Sequence, residues 1–565
     1  MSIIRSFFIL AFLSIAALAP SMNAQSEDPS VVHLDKSFYI NGEVMWYKLY
    51  LPATFIDRNP AISVKLHNEA GRAVEHSYLR TDGNPYTEGY FKVPFDFPSG
   101  VYRLTFSGTD VDTKEEIRLA QVRLPIYNDD PTQAPTEVSE KPQPEESLSP
   151  VLRGLSVGVV LENATVTAGN EVKARIKVAD ANGNPVRANV SVSVTDAALN
   201  GEAVLGNSPV TEAGNISSRI VDGLENGLIT RARLVDDSGN PLRANVLGAF
   251  SPEENEIYYT RSNDDGKIFL ELPDFYGNKP IQFMAYQKEY DEISVESLEE
   301  DIKPLDEPLI YTEELLEYFE LSRKRKKIYQ YFKALEFSLN PQIAATERRN
   351  LKPNMTVDIQ EYEPFENLAT FFKEVLTPLR FRQEKDSTYY AVMYNPGDRR
   401  IDYYYEGRPL FIIDGKLTRN ADFVARMPTD QIQTVDLYFD EDLLRRYFKV
   451  FGGSGVIRIN TSIPDIEIPE SDEADIFMVE GLLPPVDYPV FDPASASTGE
   501  QLPFLRPQLH WVPQVETDGK GSTTISFTQS DDLSTFMIRV VAQDENGRFG
   551  YGETTYSVTT NPSQE

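Results

Sequence analysis

The sequence predicts a mainly β protein: several β-sandwich domains in series and one small α/β domain. Three observations predict it. Apolar and polar residues alternate between Gly, Pro, Asn and Asp turns across 31–127, 151–297 and 500–560. A turn-then-strand pattern repeats: "DANGNPVRANVSVSV" from Asp180 and "DDSGNPLRANVLGAF" from Asp236 share Gly-Asn-Pro and Arg-Ala-Asn-Val. Only between about 306 and 462 does helical periodicity intervene.

Taken in order, residues 1–24 read as an export signal. Arg5 precedes an apolar run from Phe7 to Ala19, and Ala24 is a plausible cleavage residue, with Ala17-Leu18-Ala19 as an alternative. Residues 31–127 predict a first sandwich. "VVHLDKSFYINGEVMWYKLYL" carries two apolar runs around Asn41-Gly42, a hairpin signal. Val44 to Leu51 is apolar at nearly every position, which predicts a strand covered on both faces. Residues 128–150 hold prolines and acids without periodicity and read as a linker, with a proline-rich recognition tract as the less favoured reading. The repeat places a second sandwich at 151–222 and a third at 223–297. Its Asx-rich turns suit calcium less well than plain turns, since no Glu stands at EF-hand spacing.

"YTEELLEYFELSRKRKKIYQYFKALEF" predicts a helix, with glutamates first and bases last to suit the helix dipole. On an acidic exported chain its basic run reads as a solvated face. A second helix is expected over 364–378 and a third over Asp440 to Val450, capped by Gly452-Gly453. "PLFIIDG" at 409–415, the alternation of Val435, Leu437 and Phe439, and Val456 to Asn460 predict strands. Phe411, Ile413, Val435, Leu437, Ile457 and Ile459 are expected to pack against Leu444 and Phe448. The helical lead-in and α/β unit together span 306–462, a linker follows over 463–499, and a C-terminal β domain occupies 500–560. Domains strung in this way predict proteolytic separation at the linkers.

The chain has 565 residues and a formal net charge of -33, which disfavours nucleic acid and anionic lipid as partners. There is no cysteine, hence no disulfide, thiolate metal site or cysteine nucleophile. His33, His67, His76 and His510 show no paired metal spacing, and no nucleophile elbow or phosphate loop occurs. No catalytic, metal or cofactor-binding residue is therefore assigned.

Leu34-Asp35-Lys36 through Tyr39, Gly42, Glu43 and Trp46 resembles a macroglobulin domain of alpha-2-macroglobulin-like proteins, as do "ANVSVSVTDAALN" and "LHWVPQVETDGKGSTTISF". Residues 224–297, with Gly239-Asn240-Pro241 and Asp265-Gly266-Lys267, are similar to carboxypeptidase-regulatory-like sandwiches. "PLFIIDGK", "TDQIQTVDLYF" and "FGGSGVIRINT" resemble the plug of TonB-dependent receptors, through Asp414, Gly415, Gly452, Gly453 and Gly455. These resemblances imply immunoglobulin-like/macroglobulin β-sandwiches in series plus a plug-like α/β domain. They imply a non-enzymatic binding scaffold, exported to the periplasm or outer membrane and accessory to a TonB-dependent transport system. Its partners would be envelope proteins such as an outer-membrane receptor or transporter, with no nucleic acid and no transmembrane segment in the mature chain. The alternative is a thioester-free protease inhibitor, because the family's thioester needs a cysteine. A receptor barrel needs about 22 strands of roughly 10 residues. The 105 residues after Asn460 cannot supply it, so the plug-like unit is expected to fold alone or dock on another protein.

Overall fold

The computed structural model of the chain describes residues 27–130, 132, 138–139, 149–162, 166–197, 208–236, 238–243, 246–285, 294–298, 301–332, 339, 341, 351–375, 377–394, 404–405, 407–463, 466–469, 476–489 and 503–559. The expected signal segment and most of the 128–150 tract lie outside them. The fold is mainly β, with several sheets paired as sandwiches.

The first sandwich pairs two sheets. One holds Val210–Ser217, Glu27–Leu34, Val44–Tyr50 and Tyr86–Lys92 in spatial order; the other holds Tyr39–Ile40, Glu116–Tyr127, Gly100–Thr109, Ala61–His67 and Ala73–Arg80. Val32, Leu49, Leu66, Leu104 and Phe106 fill the space between them. The turn at Asn41-Gly42 forms, but it is not a hairpin. Tyr39–Ile40 pairs parallel with Glu116–Tyr127, whereas Val44–Tyr50 pairs with Glu27–Leu34 in the opposite sheet. Asn41 N–H donates to Tyr127 O and Gly42 N–H to Val93 O, so the turn is spent joining sheets.

The second sandwich comes from two distant segments. Ala188–Asp196 lies between Gln508–Glu516 and Thr535–Asp544, and Glu171–Ala179 lies between Leu155–Leu161 and Ser522–Thr528. Val172, Val190 and Val192 share its core with Phe527, Ile538 and Val540. The stretches expected as separate domains at 151–222 and 500–560 are thus two halves of one sandwich, and Val210–Ser217 belongs to the first. Neither half has enough strands to cover both sides of a core alone.

The third sandwich faces Lys267–Leu272, Leu228–Val235 and Ser294–Ser297 against Glu256–Thr260, Leu247–Ser251, Asn278–Ala285 and Ile476–Glu480. Its last strand falls inside the expected 463–499 linker. Val479 is buried with Ile281 and Phe283. Leu482 then bridges Tyr78 and Tyr276, fastening the first sandwich to the third.

Between these strands sits the α/β unit. Its sheet runs Met355–Asp358, Ile432–Tyr438, Val456–Thr461, Leu410–Ile413 and Lys416–Thr418, with Leu410–Ile413 and Val456–Thr461 parallel. Leu368–Glu374 and Ala421–Arg426 are helical, and Glu441–Leu443 runs into a π turn over Leu444–Phe448. The chain is therefore nested. The α/β unit interrupts the third sandwich, and that pair lies between the halves of the second.

Among the described residues, six tight loops share one pattern, Asx followed three residues later by Gly. They start at Asn68, Asp180, Asp236, Asn263, Asp518 and Asp544. In each, the first residue's N–H donates to the fifth residue's carbonyl, and its side-chain oxygen accepts the fifth N–H. The sequence repeat at Asp180 and Asp236 is this loop plus the strand it launches. The Asp180 and Asp236 Oδ1 atoms are occupied by the loops' own amides.

Candidate functional site

Asp35, Lys36, Tyr39, Gly42, Glu43 and Trp46 form a polar knot, buried but for the half-buried Gly42. Asp35 Oδ1 accepts from Tyr39 OH at 2.6 Å and from Trp46 N–H at 2.8 Å. Lys36 Nζ meets Glu43 Oε2 at 2.5 Å, and Ile40 N–H donates to the same oxygen at 3.0 Å. Gly42 has φ +87° with the Phe95 ring packed against it. Burial drives the Asp35 carboxyl up to about 7 against the pull of Lys36, Tyr39 and the Trp46 N–H. Burial also opposes the Glu43 charge, but Lys36, the Ile40 N–H and Lys326 outweigh it and hold that carboxyl below its ordinary value.

This knot anchors a helix from far along the chain. Glu313–Tyr331 is N-capped by Thr312, whose hydroxyl accepts from Leu315 N–H. Tyr318 OH donates to Glu43 Oε1 at 3.0 Å, and Leu315 and Phe319 pack with Phe38, Ile40 and Tyr127. The basic run is a solvated face only in part: Lys324 and Lys327 are exposed, and the other three residues turn onto the protein. Arg323 donates to Asp129 O, Lys326 pairs with the Asp129 carboxylate at 2.8 Å, and Arg325 is buried over the Tyr318 ring. The helix was expected to lead into the α/β unit; it packs instead on the first sandwich, because its apolar face fits Phe38 and Tyr127.

The residues singled out by the plug resemblance lie in the α/β unit and its turns. Asp414 and Gly415, at φ +47° and +90°, form the two-residue turn between Leu410–Ile413 and Lys416–Thr418. Asp414 Oδ1 accepts from Thr461 N–H at 2.9 Å and Oδ2 from Thr461 OH at 2.6 Å. Gly452 is needed for close approach: a Cβ there would stand 2.3 Å from Phe448 Cβ and 2.7 Å from Val456 Cγ2. Gly455 has φ +103°, whereas Gly453 has ordinary contacts and no positive φ. Lys449, at φ +43°, rather than either expected glycine, turns the chain at the helix end.

Both faces of this sheet are covered, by different things. Phe411, Ile413, Val435, Leu437, Ile457 and Ile459 pack on Leu368, Phe371 and Val424. Leu444 and Phe448, expected on that face, lie on the other with Leu410, Ile412, Tyr438 and Val456, since strand side chains alternate. There they meet Phe250 and Ile257 of the third sandwich. Gln282 Oε1 accepts from Leu417 N–H at 2.8 Å, Tyr259 OH donates to Phe448 O at 2.8 Å, and Arg458 bonds Asn255.

A second buried cluster, marked by no sequence motif, lies between the first and second sandwiches. His33 Nδ1 lies 2.6 Å from Ser191 Oγ, Tyr50 OH donates to the same oxygen at 2.7 Å, and the His33 ring meets Trp511 edge-on at 4.9 Å. Lys48 Nζ donates to Asn189 Oδ1 and to Pro513 O, and lies over the Tyr50 and Tyr86 rings. Burial, helped by Arg539 and Lys48, drives the His33 imidazole down to about 3. Burial lowers the Lys48 ammonium to about 7, against Glu88. His33, Ser191 and Lys48 have no solvent exposure, so this histidine–serine contact joins domains and offers no entry to a substrate. The signal was present: Lys48 is the one charge in the apolar run Val44 to Leu51.

A cleft of about 340 Å³ opens between the first and third sandwiches, lined among others by Glu75, His76, Arg231, Asn278, Phe477 and Glu480. Burial and the neighbouring Glu480 raise the Glu75 carboxyl. Among the described residues no group of three His, Asp or Glu side chains could hold a metal ion, and no helix is long and apolar enough to cross a membrane.

No protein-family model matches the chain, and no curated protein matches it. Among solved structures it is similar to native Escherichia coli alpha-2-macroglobulin, at 9% identity and a TM-score of 0.24, covering 95% of this chain and 40% of that one. Salmonella alpha-2-macroglobulin reacted with methylamine gives 8% identity, a TM-score of 0.23, and coverage of 95% and 40%. The Escherichia coli adhesin FdeC gives 13%, 0.13, and coverage of 51% and 98%. The chain thus spans less than half the length of the macroglobulins it matches, and TM-scores this low establish neither family nor function.

Proposed function

We propose that the chain is a non-enzymatic binding scaffold that works at the periplasmic face of an outer membrane as an accessory to TonB-dependent transport. The observation that carries the scaffold reading is the docking of the plug-like sheet onto the third sandwich of its own chain, through Phe250, Ile257 and the Gln282–Leu417 hydrogen bond. A unit held this way is presented by a framework and is not a free gate. Export is supported by the sequence of residues 1–24, and the transport link by the plug-like motif alone. The rival reading, a thioester-free protease trap, needs a long exposed bait segment. Of its two candidates, 463–499 contributes the sheet strand Ile476–Glu480 and the bridge at Leu482. That leaves only 128–150.

The experiment is affinity capture of the full-length protein from cross-linked envelope extracts. Recovery of an outer-membrane receptor or transporter is the expected result. Recovery of a protease held by a chain that has been cleaved within 128–150 would replace this reading with the rival.

A further inference from the structure

The hairpin Leu379–Gln383 and Tyr389–Met393 lies on the side of the plug-like sheet opposite the third sandwich. Its inward residues Leu379, Ala391 and Met393 join the core with Leu368 and Val424, while the sandwich packs on the other face. The hairpin's outward face carries Arg380 and Arg382, two residues apart and hence on one side of the strand, opposite Val392 and Tyr390. Both guanidiniums stand over the Tyr404 ring, 5.9 and 5.1 Å from its centre. Both arginines are exposed, and among the described residues neither has a carboxylate partner.

They form an exposed cationic pair in a chain of net charge -33. Stacking engages the flat face of a guanidinium and leaves its in-plane N–H groups directed outward, where they match a carboxylate in forked geometry. Arginine and tyrosine are also the side chains enriched where interfaces concentrate their binding energy. The two arginines sit about 7 Å apart along the strand. An extended segment with acids at alternate positions has the same repeat; a lone phosphate or a fluid lipid surface has no such spacing.

We propose that the face formed by Arg380, Arg382 and Tyr404 docks an extended acidic segment of a partner protein, its carboxylates two residues apart. This deepens, and rests on, the reading of the plug-like unit as the partner contact. The test uses the purified full-length chain and two six-residue peptides, one alternating glutamate with valine and one alternating lysine with valine, read by calorimetry at low salt. The glutamate peptide should bind, the lysine peptide should not, and R380Q/R382Q should weaken binding about tenfold. R380K/R382K keeps the charge but loses the fork and should fall between. Equal binding of the glutamate peptide to wild type and R380Q/R382Q would overturn the proposal. So would no binding by the wild type, or binding only to phosphatidylglycerol vesicles. Envelope capture is scored separately. If the peptide binds but no membrane protein is recovered, the surface stands and its outer-membrane setting falls. If R380Q/R382Q still captures the same receptor, the contact lies elsewhere and this proposal falls.

Discussion

At the scale of single residues, burial disfavours the charged form of His33. The unfolded imidazole takes up a proton near pH 6.5, the folded one only near 3, because burial and the cations Arg539 and Lys48 disfavour its charge. Unfolding therefore absorbs a proton between those values, and the fold loses stability as pH falls through that window, by up to about 1.4 kcal/mol per pH unit. His33→Gln removes the titration and keeps a polar partner for Ser191. Thermal melts between pH 6.5 and 4 should show a shallower decline for the variant than for wild type. Parallel declines would mean that His33 is not sealed between the sandwiches.

At the scale of elements, helix Glu313–Tyr331 is held to the first sandwich by the buried Tyr318–Glu43 hydrogen bond, an apolar stripe, and the contacts of Arg323 and Lys326 with Asp129. Tyr318→Phe keeps the ring and leaves Glu43 Oε1 without that donor, at a cost of about 1–3 kcal/mol. Hydrogen exchange should then quicken across 313–331 while Leu410–Ile413 keeps its protection. Unchanged exchange in the helix would contradict the anchoring. The helix itself was legible, since its apolar spacing and flanking charges are local signals. Its destination was not, because nothing in its own residues says that Phe38 and Tyr127 are the surface it covers. The same limit explains the strands of the α/β unit. Period-two alternation fixed which residues share a face, yet Leu444 and Phe448 were placed on the wrong one. A helix–strand contact depends on the direction of the connecting turn, and Lys449 with its positive φ sets that direction. The sandwich strands at Ile476–Glu480 and Val210–Ser217 escape the local pattern for a related reason: an edge strand acquires its meaning only from the neighbour that pairs with it.

At the scale of the whole molecule, nesting replaces the expected string of domains. Every sandwich receives a strand from outside its main segment, so cutting one connection does not release a unit. Limited proteolysis within 128–150 should leave both fragments in one particle by size-exclusion chromatography, separating only in denaturant. Fragments that part under native conditions would restore the serial arrangement. Deleting the α/β unit would be a poor test of its role, since it would uncover Phe250 and Ile257 on the third sandwich. The point variants at Arg380 and Arg382 avoid that exposure.

Distant segments close one framework, and the second sandwich offers the most direct test of this. Lys173 and Ser526 are exposed and lie opposite each other on antiparallel strands. Opposed residues of this kind have Cα atoms about 4.5–5.5 Å apart, within disulfide reach. The chain has no cysteine of its own, so a bond in Lys173→Cys/Ser526→Cys is unambiguous. Oxidation should yield one intramolecular disulfide in nearly all of the folded protein, found by mass spectrometry as a single cross-linked peptide pair. Two free thiols in a protein that melts like wild type would contradict it.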